Sequence, residues 1–252
     1  MRNIGWRLYT LFAIVFFVAL LISAPASLLS YVVESASKGQ FILANASGTV
    51  WQGSALPAVR QRSGNIMALE KLHWDIQLSP LLTGKLVIRM DWDNVEQLQP
   101  MEATISYNKI ALSNALLPLN AEMMGEIAPL LKPVQLSGQM RISSQLFTVT
   151  RQGLNGTAVA EWTNAGSVLS SIKPLGHYRI NLAGSGTRLD ITLMTITGIL
   201  LLEGKGSVEL NQGLRFQGTA RASAQSKGAL DELLNNFGPE SSPGVHSLNL
   251  MN

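Results

Sequence analysis

Lys71-Leu-His-Trp-Asp-Ile-Gln-Leu78 decides the fold. In an extended chain Leu72, Trp74, Ile76 and Leu78 share one side, and Lys71, His73, Asp75 and Gln77 share the other. That period of two is the pattern of a half-buried antiparallel strand. After a reversal rich in turn formers, Ser79-Pro-Leu-Leu-Thr-Gly84, the alternation resumes, with Leu86, Ile88, Met90 and Trp92 opposite Val87, Arg89, Asp91 and Asp93. Proline and glycine at the reversal favour a tight connection, so the two runs predict a hairpin.

Working outward, similar runs predict strands over 41–46, 103–110, 134–143, 147–151, 156–162, 177–183, 189–197, 199–203, 207–210 and 214–221. Turn sequences such as Gly153-Leu-Asn-Gly156, Gly184-Ser-Gly186 and Asn211-Gln-Gly213 separate them, and Gly204-Lys-Gly206 also reads as a turn. The spacing is that of a long meander. Because only one side of each strand is apolar, the sheet must fold on itself or close to cover that side. The expected class is therefore mainly β: one curved or sandwich-like antiparallel β domain over 34–238, with short helices. Pro118, Pro129 and Pro133 confine one helix to about 120–127, since proline cannot donate its backbone hydrogen bond inside a helix. Leu230, Leu233, Leu234 and Phe237, followed by Gly238 and Pro239, predict a second short amphipathic helix that caps an open end of the sheet. Residues 239–252 read as a tail. Trp74 before Pro80-Leu81 and Trp162 before Pro174-Leu175 form a faint internal echo, which suggests duplication of a β unit.

The N-terminus departs from this pattern. From Leu8 to Val33 there is no charged residue, and a bilayer-spanning helix needs about 20 predominantly apolar residues. Arg2 and Arg7 precede the run, with Trp6 and Tyr9 at interfacial depth. The positive-inside rule then predicts a cytoplasmic tail at 1–7, a transmembrane helix at 8–28 and export of everything beyond it. Ala24-Pro25-Ala26 also fits the small-x-small pattern of a signal-peptide cleavage site. The length of the apolar run favours an uncleaved anchor, and the mass of the mature protein distinguishes the two.

Composition narrows the chemistry. The 252 residues contain no cysteine, which excludes disulfide scaffolds, thiolate metal sites and thiol nucleophiles. Charged residues make up 14% of the chain, against about 25% in ordinary soluble domains. Removing Arg2 and Arg7 takes the formal charge from +3 to about +1, and no basic stripe remains for nucleic acid. Histidine, the best general-base type, occurs only at 73, 177 and 246. His73 and Asp75 share a strand side, as do Asp91 and Asp93, but a solvated strand surface explains both pairs, and a hard cation needs six to eight oxygens. Ser35–Lys38 and Ser170–Lys173 match a Ser-x-x-Lys pattern without its companion elements. No catalytic residue, cofactor or metal is expected.

The most specific stretches are Gly48-Thr-Val-Trp-Gln-Gly53, then Trp74-Asp-Ile-Gln-Leu-Ser-Pro80-Leu81-Leu-Thr-Gly84, then Pro174-Leu-Gly176-His-Tyr-Arg-Ile180, and the closing Leu214-Arg-Phe-Gln-Gly-Thr-Ala220. In this order, behind a short anchor, they resemble the protein N family of the type II (general) secretion pathway. The resemblance implies a single-pass inner-membrane protein of a Gram-negative bacterium, with the N-terminus cytoplasmic and the bulk periplasmic. Its implied partners are the other secretion-system proteins, and its implied work is non-enzymatic support of the export of folded exoproteins. The domain is similar, more distantly, to AsmA-like periplasmic β proteins, which makes lipid the alternative partner. Gly48, Thr49, Trp51, Gly53, Trp74, Pro80, Leu81, Gly84, Pro174 and Gly176 are the motif positions, expected to be structural. Gly48 and Gly53 bracket Trp51, which suggests a large ring packed over glycine, while Trp74 and Trp92 alternate onto the apolar side as core anchors.

Overall fold

The structure, a computed structural model, describes residues 3–60, 64, 66–127, 134–209, 212–226, 228 and 230–251. Arg2, Pro129, Pro133, Leu210 and Asn211 lie outside the described residues. The chain divides into two compact units, Met1–Val95 and Glu96–Asn252.

The first unit begins with α1 (Asn3–Ile22) and α2 (Ala26–Ala36). The helix expected over 8–28 thus stops at Ile22: Pro25 is extended, at φ −72 and ψ 149, and α2 starts anew after it. In α1 the side chains of residues 3–5 and 7 lie outside the described residues, and among the described residues no helix is long and apolar enough to cross a membrane. Five strands follow: β1 (Phe41–Gly48), β2 (Gln52–Arg60), β3 (Ile66–Ala68), β4 (Leu72–Gln77) and β5 (Leu86–Trp92). They pair antiparallel in the order β1-β2-β4-β5, with β3 on the far part of β2. The alternation in the opening stretch produces its predicted hairpin, with Leu72 opposite Trp92, Trp74 opposite Met90 and Ile76 opposite Ile88. α2 lies against β1, and Ala26, Ala55 and Trp74 form the buried centre, flanked by Leu29, Leu43, Ile76, Ile88 and Met90.

The second unit contains β6 (Met101–Ser106), β7 (Lys109–Asn120), β8 (Leu136–Thr150), β9 (Gly153–Ser167), β10 (Gly176–Gly186), β11 (Arg188–Gly198), β12 (Leu200–Glu209), β13 (Gly213–Ala222), β14 (Glu240–Ser242) and β15 (Val245–Met251). Strands β6 to β13 pair antiparallel in chain order, β15 adds to β13, and β14 lies outermost on β15. Within the unit they form a meander in one sheet rather than two stacked sheets. A 3₁₀ turn, Ala121–Met123, leads into α3 (Met124–Ile127), and α4 (Asp231–Phe237) precedes β14.

Several sequence expectations are corrected. The segments at 134–143 and 147–151 are one strand, β8, with a register irregularity between Ser143 and Phe147. The segments expected at 199–203 and 207–210 are likewise joined in one strand, β12, over Leu200–Glu209, so Gly204-Lys205-Gly206 is not a turn. The Phe216 ring of β13 occupies the space above both glycines: a Cβ at Gly204 would sit 2.5 Å from Cζ of Phe216, and one at Gly206 would sit 2.8 Å from its Cδ2. Glycine there makes room for a cross-strand aromatic ring, which on sequence alone resembles punctuation. The segment expected as a tail at 239–252 contains β14 and β15, and β15 pairs with β13 from Arg221–Val245 to Arg215–Met251.

One side of this sheet is apolar along its length. Leu119, Met140, Trp162 and Tyr178 stand in one register row across β7 to β10. Leu230, Leu233 and Leu234 of the α4 region join that row's buried residues, together with Leu200, Leu202 and Ala220. The short helix that the spacing predicts is present, but it packs on the apolar side of the sheet rather than over an open end. Toward the opposite strand ends the same side continues through half-buried Leu182, Leu189, Ile191, Val208 and Leu214. Ile105, Ile110 and Val149, aligned across β6, β7 and β8, are exposed there.

Candidate functional site

The densest set of motif residues is the corner between β1 and β2. The last residue of β1, Gly48, is opposite the second residue of β2, Gly53, so Thr49 to Gln52 must reverse the chain at once. Gly48 has φ +91, and a Cβ there would meet the Gln52 carbonyl oxygen at 2.5 Å. A left-handed residue in so close an approach has to be glycine. Thr49 closes the corner: its N–H donates to the Gln52 carbonyl at 2.9 Å, and its hydroxyl accepts from the Gln52 N–H at 3.1 Å.

The ring over glycine is Trp74, not Trp51. A Cβ at Gly53 would lie 2.7 Å from Cζ2 of Trp74, which is buried and donates its indole N–H to the Val50 carbonyl at 3.0 Å. Trp51 instead turns toward the N-terminal helices and donates its indole N–H to the Leu21 carbonyl at the end of α1, at 2.8 Å. Val50 N–H donates to the Ala24 carbonyl at 2.8 Å, and Pro25 bridges to Thr49. The Trp51 carbonyl accepts from the Ile76 N–H on β4 at 2.6 Å. The corner therefore joins the α1–α2 junction to the sheet. These partners are backbone groups, which no side-chain pattern announces; the local signal was the Ala24-Pro25-Ala26 run that also resembles a cleavage site. Trp92 is buried, as its alternation predicts.

Pro80 and Leu81 lie in the 3₁₀ turn Ser79–Thr83 between β4 and β5, which ends at Gly84 with φ +72. The last two motif positions belong to the second unit. Pro174 follows a cis peptide bond, Leu175 is buried, and Gly176 opens β10 opposite Gly198. Tyr178 is fully buried, donates its hydroxyl to the Leu200 carbonyl at 2.8 Å and stacks at a tilt on Trp162, centroids 5.3 Å apart. Burial pushes its phenol above the ordinary value of 10.0. Trp162 donates its indole N–H to the Ser137 carbonyl at 3.0 Å, the counterpart of the Trp74–Val50 bond, so the sequence echo coincides with a shared structural device.

The candidate chemical groups are dispersed. His73 pairs with Asp93 at 3.0 Å, both side chains half exposed, while Asp75 stands opposite Arg89. Ser170 hydrogen-bonds the carbonyl and N–H of Ile172, a local turn. His246 holds the Gly238 carbonyl at 2.9 Å. Among the described residues no three His, Asp or Glu side chains gather into a metal-binding group. The fold is mainly β, with an apolar N-terminal helix. The family model for protein N of the type II secretion system (T2SS) matches residues 40–249, across both units. The chain belongs to the type II secretion system protein N family. It is 25% identical over 233 residues to "Type II secretion system protein N" of Pectobacterium carotovorum subsp. carotovorum, covering 90% of this chain and 88% of that one. No solved structure matches the chain.

Proposed function

We propose that this chain is a non-enzymatic, single-pass inner-membrane component of the Gram-negative type II secretion system, and that its periplasmic β units make protein contacts supporting export of folded exoproteins across the outer membrane. The observation that carries this reading is the family match from residue 40 to 249. α1 is the membrane anchor: its side chains from Leu8 to Ile22 are all exposed, and an apolar helix so exposed suits lipid better than water. Retention of α1 is supported by the corner described above. Ala26 is 1% exposed in the core, and the Leu21 and Ala24 carbonyls hold Trp51 and Val50. Cleavage after Ala26 would strip the sheet of all three. The mature protein is expected at its full mass, and loss of the first 26 residues would end the anchor reading.

Protein contact is tested by in vivo crosslinking from exposed strand positions, among them Arg89, Asp91, Arg215 and Arg221. Adducts to inner-membrane secretion components are expected, and their absence from every position would contradict the reading. A second reading, an AsmA-like lipid carrier, is favoured by the half-buried and exposed rows on the apolar side in the second unit. Phospholipid in native mass spectra of the detergent-free protein lacking α1 would support it.

A further inference from the structure

The turn between β4 and β5 is the part of the hairpin that neither the core nor the corner explains. Leu78, Leu81 and Leu82 are 49%, 41% and 92% exposed, three leucines grouped in one surface connection. Their position is informative. β2 and β4 are antiparallel with Gln52 opposite Asp75, so β4 ends at the same end of the sheet where β2 begins. There the α1–α2 junction is held, through Leu21 to Trp51, Ala24 to Val50 and Pro25 to Thr49. The turn continues three residues and more beyond that level, at the sheet end that holds the α1–α2 junction.

The turn also meets part of a condition that a bilayer imposes. Backbone polar groups entering an apolar phase must be satisfied within the chain. Here Leu81 N–H donates to the Leu78 carbonyl, Gly84 N–H to Leu81 and Lys85 N–H to Pro80, while the Thr83 hydroxyl donates to the Pro80 carbonyl at 2.8 Å. Lys85, exposed at the base, carries the charge that suits lipid phosphates.

We propose that the Leu78–Lys85 turn is a second membrane contact, its leucines dipping into the phospholipid bilayer beside α1. The inference rests on the reading of α1 as the anchor. On it, the motif positions Pro80, Leu81 and Gly84 shape a compact, self-bonded apolar tip. A helix and a turn at one sheet end fix the orientation of the first unit on the membrane, which a lone helix leaves free to rotate.

The chain has no cysteine, so single cysteines can be introduced and labelled with an environment-sensitive fluorophore. The full chain is reconstituted in phosphatidylethanolamine–phosphatidylglycerol vesicles with iodide on both sides. Three variants are compared: L82C at the turn, I14C in α1, and I66C on β3, which is 60% exposed at the opposite end of β2. Expected are blue-shifted emission and a several-fold smaller iodide-quenching slope for L82C than for I66C, with I14C protected at least as well. A protected I14C with L82C quenched as readily as I66C overturns the second contact and leaves the anchor standing. I14C quenched like I66C removes the anchor and the proposal with it.

Discussion

Gly53 carries little chemistry and much geometry, since the Trp74 ring and the Ser47 carbonyl leave no room for a Cβ. Gly53→Ala forces an overpacked core of the kind that costs about 1–3 kcal/mol, and chemical denaturation of the first unit is expected to show a loss of that order. Trp51→Phe keeps a ring but loses the indole bond to Leu21, so it should leave the first unit nearly as stable while exposing the α1–α2 junction to proteolysis. Tyr178→Phe leaves the Leu200 carbonyl short of a buried donor, at a cost of about 1–3 kcal/mol. The pH dependence has a definite sign. The folded phenol is raised above its ordinary 10.0, so its contribution is whole below that pH and is lost as the pH rises through the folded value, because the unfolded chain ionises first. Wild-type protein should therefore steepen in alkaline destabilisation above about pH 10, with a shallower slope in Tyr178→Phe. The sequence pointed to the tryptophans and glycines of the motif but paired them wrongly. Which ring covers Gly53 depends on strand register, and adjacency in the chain favoured Trp51 over the true partner, Trp74.

At the scale of elements, strands were legible wherever apolar and polar residues alternated, as in β4 and β5, and less so where glycine interrupted the alternation. β12 was split at Gly204-Lys205-Gly206 because the reason for those glycines, Phe216, is on the neighbouring strand. β15 was missed because His246, Leu248 and Leu250 alternate only weakly in a polar C-terminus. Its pairing with β13 predicts that truncation after Gly238 lowers the melting temperature of the second unit, whereas a true tail could be removed without effect. The helix signal of α4 was strong, since four apolar residues fall at helical spacing, and Leu233 and Leu234 are both buried. Leu234→Ala should cost about 2–5 kcal/mol by opening a cavity against the Tyr178 core, measurable by urea denaturation.

At the scale of the whole molecule, the low charge content of the chain is accounted for by its architecture. Two β units each present an apolar side, and an exposed apolar helix precedes them. Mainly β character and family membership were both legible from alternation and from motifs in order. The break at Pro25 was not, because a continuous apolar run does not reveal where a helix stops and a second begins. Membership of the protein N family makes secretion the process in which this scaffold is to be tested. The most direct measurement is the partition of a folded exoprotein between periplasm and medium in cells lacking the gene, with and without the full chain supplied in trans. The account predicts that exoprotein accumulates in the periplasm, with inner-membrane export intact, and that the full chain restores release. Undiminished exoprotein in the medium of the deletion strain would contradict it.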